Sequence, residues 1–182
     1  LAANVALCVA TGVAGLSIED ASGRRDAPLY PPALAVERIR AARAAIDASG
    51  IPVLLTARCE AHLVGLPDAA QIARERLVAF AEAGADCLYA PGVRDPAEIA
   101  TLVRAVAPKP LNVLVSAPNP ELPLARLAEL GVRRVSLGSA LARVAWGAFL
   151  RAARGLAETG SFDGLAGAAT FAELNERFRG RG

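Results

Sequence analysis

Three observations predict an α/β fold built on a parallel sheet. Helix-like and strand-like stretches alternate along the chain, with five strand-like runs in all. Those runs are short, rich in Val, Leu and Ile, and show little polar alternation, as expected for strands buried on both faces. One junction also recurs: Gly12-Val13, Gly50-Ile51, Gly84-Ala85 and Gly131-Val132 each close a helix-like stretch and lead into an apolar run. Glycine just past a helix end takes the left-handed conformation that closes the helix without a Cβ penalty.

Taken in order, the strands are expected at 13–18, 52–57, 86–90, 111–115 and 133–137. Leu1, not methionine, begins the chain in what reads as the middle of a helix, so the sequence is expected to be a piece of a longer protein. Residues 1–18 carry no charge, yet Gly12 and Gly15 interrupt the run and no basic residues precede it. A helix, a glycine turn and a strand account for it better than a membrane span or signal peptide. Ala35, Ile39, Ala42 and Ile46 share one face of the next helix, and Ile99, Leu102, Val103 and Val106 one face of a later one. Asp68 and Asp95 stand at N-cap positions, the latter followed by Pro96 at the first helical turn. Beyond the last strand, Leu141, Val144, Ala145, Ala148, Phe149 and Ala152 form an apolar stripe. A glycine-rich connection then leads to a short helix, Phe171–Phe178, and a basic Arg-Gly-Arg-Gly end read as a solvated terminus.

Five βα units in strict alternation require right-handed crossovers and leave two architectures, an open doubly wound sheet or most of a barrel. No G-x-G-x-x-G turn follows any strand, which weakens the dinucleotide-binding version. A complete eight-unit barrel needs about 250 residues, so five units would be its later part. On the barrel alternative, residues 1–160 form this partial barrel and 161–182 a C-terminal helical segment. The 182 residues suit one core, and the net charge of +2, with few aromatics, does not argue for nucleic acid. Three cysteines without metal spacing suit a reduced compartment, expected to be the cytoplasm; with residues 1–18 read as helix, turn and strand, no membrane partner is expected.

Two stretches carry the chemistry, Gly15-Leu16-Ser17-Ile18-Glu19-Asp20 and Leu54-Leu55-Thr56-Ala57-Arg58-Cys59-Glu60. Each is an apolar run ending abruptly in charge, at the strand end where barrel enzymes build their sites. Glu19, followed directly by Asp20, makes an oxygen-rich spot suited to a hard cation such as Mg²⁺; the plain alternative is a solvated loop carboxylate. Arg58 offers a planar fork for an anionic substrate, or an ion pair with Glu60, which would hold it in position. His62, the only histidine, lies past the strand and is read as a surface loop residue rather than a base. Cys59 and Cys87 are read as inert core thiols. Asn112, Leu114 and Ser116 alternate along the fourth strand, so Asn112 is a candidate for binding substrate. Gly138-Ser139 opens the last long helix, whose free N–H groups suit an anion, and Arg143 lies one turn in. Tyr89-Ala90-Pro91-Gly92, after the third strand, is read as carrying nothing ionisable.

With these residues in view, the chain resembles the isocitrate lyase / phosphoenolpyruvate mutase superfamily, in its phosphonomutase-like and 2-methylisocitrate-lyase-like branch. The resemblance rests on Gly-Leu-Ser-Ile-Glu-Asp (15–20), Ala-Arg-Cys-Glu-Ala (57–61), Ala-Glu-Ala-Gly-Ala-Asp (81–86) and Ser-Ala-Leu-Ala-Arg (139–143). It implies a (β/α)8 TIM barrel, represented by its last five βα units, whose final helix is exchanged between subunits of a dimer or tetramer. It implies Mg²⁺ (or Mn²⁺) at the mouth, stabilising the enolate of a small anionic 2-oxo or hydroxy acid. A C–C or P–C bond beside that enolate is made or broken, by a lyase or a phosphonomutase. Carried over residue by residue, Glu19 is similar to the metal-shell glutamate and Arg58 to the catalytic, substrate-gripping arginine. Arg143 is similar to the substrate-carboxylate arginine, and Asn112 more loosely to a substrate-binding asparagine. The chain departs from the family in lacking the aspartate pair of the preceding strand. It also lacks the Lys-x-Cys-Gly-His segment of the lyases, where it reads Ala21 to Tyr30. Two rival readings stand beside this one: a sugar-phosphate barrel using Gly138-Ser139, and an inactive fragment.

Overall fold

A computed structural model of the chain describes residues 1–179. They divide into two compact units, Leu1–Gly138 and the stretch from Ser139 onward. The first unit holds α1 (Ala2–Ala10), β1 (Gly15–Glu19), α2 (Pro32–Ser49), β2 (Leu54–Arg58), α3 (Ala69–Glu82), β3 (Cys87–Tyr89), α4 (Pro96–Val106), β4 (Leu111–Leu114), α5 (Leu124–Glu129) and β5 (Arg134–Ser136). The second holds α6 (Ala140–Thr159), a 3₁₀ turn at Asp163–Leu165 and α7 (Phe171–Phe178). Residues 180–182, most of the basic end, lie outside the described residues.

The five strands pair in parallel and in chain order, β1-β2-β3-β4-β5. That order chooses between the two architectures. A doubly wound sheet reverses direction at a switch point, which sends helices to both faces. Strands added always on the same side, with right-handed crossovers, keep every helix on one face and curl the sheet as a barrel does.

The strands' two faces differ accordingly. Leu55, Ala57, Leu88, Leu111 and Val113 point toward the helices and are at most 4% exposed. They meet Ala35, Ile39, Ala42 and Ile46 of α2, Leu77 and Phe80 of α3, and Ile99, Leu102 and Val106 of α4 in one core. The alternate positions line the inner face: Ser17 and Glu19, Thr56 and Arg58, Cys87 and Tyr89, Asn112, then Arg134 and Ser136. Gly15, Leu54 and Leu114 share this face, but the other positions except Cys87 are polar, so the inner face carries the chemistry.

The strands are shorter than their apolar runs: β1 and β2 begin two residues later than expected, at the Gly15–Leu54 pair, and end one residue later, at the Glu19–Arg58 pair, while β4 begins at Leu111 as expected. All four junction glycines have positive φ, between 67° and 102°. At Gly84 the requirement is double, since a Cβ there would also lie 2.8 Å from Cγ of Arg43. Asp95 caps α4, accepting from the N–H groups of Ala97 and Glu98, whereas Asp68 precedes α3 without a side-chain cap. In the second unit α6 buries no residue, and Leu141, Val144, Trp146 and Phe149 are each more than half exposed. No helix among the described residues is long and apolar enough to cross a membrane.

Candidate active site

Register builds the site. Glu19, Arg58 and Tyr89 are direct partners across β1, β2 and β3, each the last residue of its strand. In-register neighbours on parallel strands point the same way, so all three side chains share the inner face. Arg58 is the hub. Its Nη2 lies 3.3 Å from Oε2 of Glu19, and its Nε donates to Oε1 of Glu60 at 2.9 Å. Its guanidinium carbon sits 5.2 Å from the centre of the Tyr89 ring.

Burial grades this cluster. The Glu60 side chain is 6% exposed, Arg58 27% and Glu19 49%. Burial pushes the Glu60 carboxyl above its ordinary value, more than its bond to Arg58 pulls it down. Burial works against the Arg58 cation too, but the hydrogen bond and charge of Glu60, with Glu19 and Tyr89, outweigh it and raise its pKa. Glu60 thus holds Arg58 in place, while Glu19 stays half in solvent.

Asp20 does not join Glu19 in an oxygen-rich spot. One residue further along, the alternation turns it to the opposite face, where it is 2% exposed. There it accepts from the Glu60 backbone N–H at 2.8 Å and from Nη1 of Arg76 at 2.9 Å. Arg76, on α3, also donates to the Tyr30 carbonyl at 2.9 Å. This buried pair fastens the end of β1, the segment returning at Tyr30 and the Glu60 backbone to one helix. It is structural, and Arg76 carries no signal in the sequence because its partner is 56 residues away.

His62 is less exposed than its loop position suggests. Its Nε2 lies 2.8 Å from Oε1 of Glu98, with the side chain 15% exposed. Cys59 is fully buried, and burial, with the nearby Asp20 charge, pushes its thiol up to about 12. Burial likewise raises Cys87. Neither thiol is a nucleophile in these surroundings.

Deeper on the inner face, Asn112 is 1% exposed and engaged at both ends of its amide. Its Nδ2 donates to Oγ of Ser136 at 2.9 Å, and its Oδ1 accepts from Nε of Arg134 at 3.0 Å. Arg134 reaches on to Oγ1 of Thr56 at 3.0 Å. Arg134 escapes a reading of the sequence because it follows Arg133 at a strand start and resembles ordinary surface charge. The strand alternation that turns Arg134 inward is the usable signal. A hollow of about 420 Å³ lies against Ser17, Leu54, Thr56 and Arg134. A second cavity, about 120 Å³, opens at the end of β4, lined by Arg94, Leu114, Ser116 and Asn119 among others. Arg143 stands on the first turn of α6, in the second unit.

Among the described residues no three His, Cys, Asp or Glu side chains gather as a metal cage. Glu19 offers a hard, half-exposed carboxylate, of which Oε2 is the oxygen that faces Arg58. One carboxylate fits an ion such as Mg²⁺, which keeps most of its waters and takes its remaining ligands from substrate.

A parallel barrel-type sheet bearing a guanidinium between two carboxylates at its strand ends defines an α/β-barrel protein with a polar mouth. The chain belongs to the phosphoenolpyruvate phosphomutase family, whose sequence profile matches residues 1–157, within the PEP mutase/isocitrate lyase superfamily. An uncharacterized protein of Mycobacterium tuberculosis is 37% identical over 126 residues, 69% of this chain and 45% of that protein. A lyase/mutase-type protein of Burkholderia cenocepacia J2315 superposes with a TM-score of 0.92 at 46% identity, over 99% of this chain and 64% of its own. Phosphonopyruvate hydrolase, solved with oxalate and Mg²⁺, superposes with a TM-score of 0.77 at 26% identity, over 96% of this chain and 62% of its own. The chain therefore spans between about half and two thirds of the length of these relatives. Its five strands are five consecutive units of the superfamily's barrel.

Proposed function

We propose that this barrel binds a small anionic 2-oxo or hydroxy acid and catalyses lyase-type chemistry, making or breaking a C–C bond beside its enolate. The observation that carries this reading is Arg58, fixed by Glu60 and facing Glu19 and Tyr89 at the mouth. A fixed guanidinium meets a carboxylate in a bidentate geometry and stabilises the negative charge that grows on an enolate oxygen. Glu19 is the residue of this chain that would hold Mg²⁺ or Mn²⁺. When bound, such an ion supplies a Lewis acid for the same oxygen. The oxalate in phosphonopyruvate hydrolase supports the substrate class, because oxalate has the shape and charge of a pyruvate enolate. Arg143 is assigned to the substrate carboxylate. Asn112, held by Arg134 and Ser136, presents the remaining N–H of its amide.

A second reading is P–C chemistry on a phosphonate. The family profile and phosphonopyruvate hydrolase favour it, and so does the absence of cysteine between Ala21 and Tyr30, where isocitrate-type lyases keep one. The working protein is assigned to the cytoplasm. It is a homodimer or homotetramer in this reading, with residues 161–182 exchanged between subunits and the bare apolar side of α6 covered by a second copy.

The test is oxalate binding by calorimetry, with Mg²⁺ and with chelator, followed by turnover of oxaloacetate, 2-methylisocitrate and phosphonopyruvate. Metal-dependent oxalate binding with C–C products is expected. Phosphorus-containing products shift the assignment to the second reading. Binding and turnover that ignore the chelator overturn the metal assignment, and no oxalate binding at all overturns the site.

A further inference from the structure

Tyr89 stands third in the inner-face row that begins at Glu19 and continues to Asn112 and Arg134. The residue is 9% exposed, and its ring lies against the Arg58 guanidinium. Its hydroxyl is not one of the enclosed, unpartnered polar atoms of the described residues, so it opens to solvent rather than into packed core. A phenol whose ring packs on a guanidinium and whose hydroxyl meets water can both touch a bound ligand and regain its proton from solvent. The phenol corrects the expectation that Tyr89-Ala90-Pro91-Gly92 carries nothing ionisable, and the register places it next to Arg58.

Most other groups that could deliver a proton there are held elsewhere. Glu60 is bonded to Arg58, and Nε2 of His62 lies 2.8 Å from Oε1 of Glu98 on α4, although its buried Nδ1 has no partner among the described residues. Cys59 is fully buried, and Asp20 is tied to Arg76 on the opposite face. The segment from Ala21 to Tyr30 holds no cysteine or histidine.

We infer that Tyr89 is the catalytic acid that protonates the enolate carbon. This rests on the proposed 2-oxo acid reading of the same site. The enolate double bond takes the phenolic proton at C3, so the O–H bond breaks and a C–H bond forms. The enolate oxygen becomes the carbonyl oxygen, and the phenolate left behind faces the Arg58 cation until water reprotonates it. In reverse, the phenolate removes a C3 proton from pyruvate.

The test is exchange of the pyruvate methyl protons in D₂O, followed by NMR with the full chain and Mg²⁺, beside oxalate binding by calorimetry. Tyr89→Phe keeps the ring over Arg58 and removes only the hydroxyl. It is expected to slow exchange at least about 100-fold while oxalate affinity stays within about twofold. Exchange at the unaltered rate in Tyr89→Phe overturns the inference and leaves the anion site standing. Loss of oxalate binding in Tyr89→Phe also overturns it, since the hydroxyl then serves binding or folding. An unaltered protein that binds oxalate but exchanges no proton overturns it again. One that binds no oxalate overturns the parent reading as well.

Discussion

Arg58 serves the site and its stability at once, and the two roles separate by substitution. Arg58→Ala is expected to lower turnover at least about 100-fold, the scale of losing one fixed donor to a developing anion. It also strands the Glu60 carboxylate, a buried acceptor whose loss of partner costs about 1–3 kcal/mol in urea unfolding. Arg58→Ala combined with Glu60→Gln is expected to recover part of that stability and none of the activity. Glu60 further sets a pH dependence. Its folded pKa lies above the ordinary value of 4.5, so the native state holds that proton more tightly than the unfolded chain does. Its contribution is complete below pH 4.5 and is lost as pH rises through the raised value. Unfolding midpoints between about pH 4 and 7 are expected to lose this component in Glu60→Gln, leaving the slope set by the other groups.

Among the elements, the critical joint is where β1 ends against α3. Asp20 and Arg76 form a buried pair there, with Arg76 also bonded to the Tyr30 carbonyl. Removing one partner of such a pair leaves an uncompensated buried charge. Arg76→Ala is accordingly expected to cost about 3–5 kcal/mol by urea unfolding. Replacing both members with apolar residues of similar volume is expected to restore much of it. The same joint places Glu60, because Asp20 holds its backbone N–H. α4 is built from local signals instead: the Asp95 cap, Pro96 at its first turn and the buried face of Ile99, Leu102 and Val106. That difference explains what is legible in the chain. Caps, periodicity and junction glycines act within one turn, so α2, α4 and α7 can be read from the residues alone. The Arg76 partnership spans 56 residues and cannot.

For the whole molecule, the second unit exposes Trp146 and Phe149, packed edge to face at 5.5 Å, beside Leu141 and Val144. An apolar helix side of this extent is what a subunit interface covers. Phe149→Glu is expected to shift sedimentation from an oligomer toward monomer while far-UV circular dichroism is preserved. An unchanged sedimentation coefficient would assign α6 no part in assembly.

Sequence alone determined the parallel α/β order, the helix faces, the closing glycines, and the placement of Glu19, Arg58 and Glu60 near strand ends. Each follows from forces acting over a few residues, namely side-chain periodicity, capping and backbone sterics. Only tertiary structure decided which neighbours share a face. Strand alternation separated Asp20 from Glu19, and lateral register brought Tyr89 to Arg58 and Arg134 to Asn112. Those pairings depend on contacts between residues far apart along the chain, which no local pattern encodes.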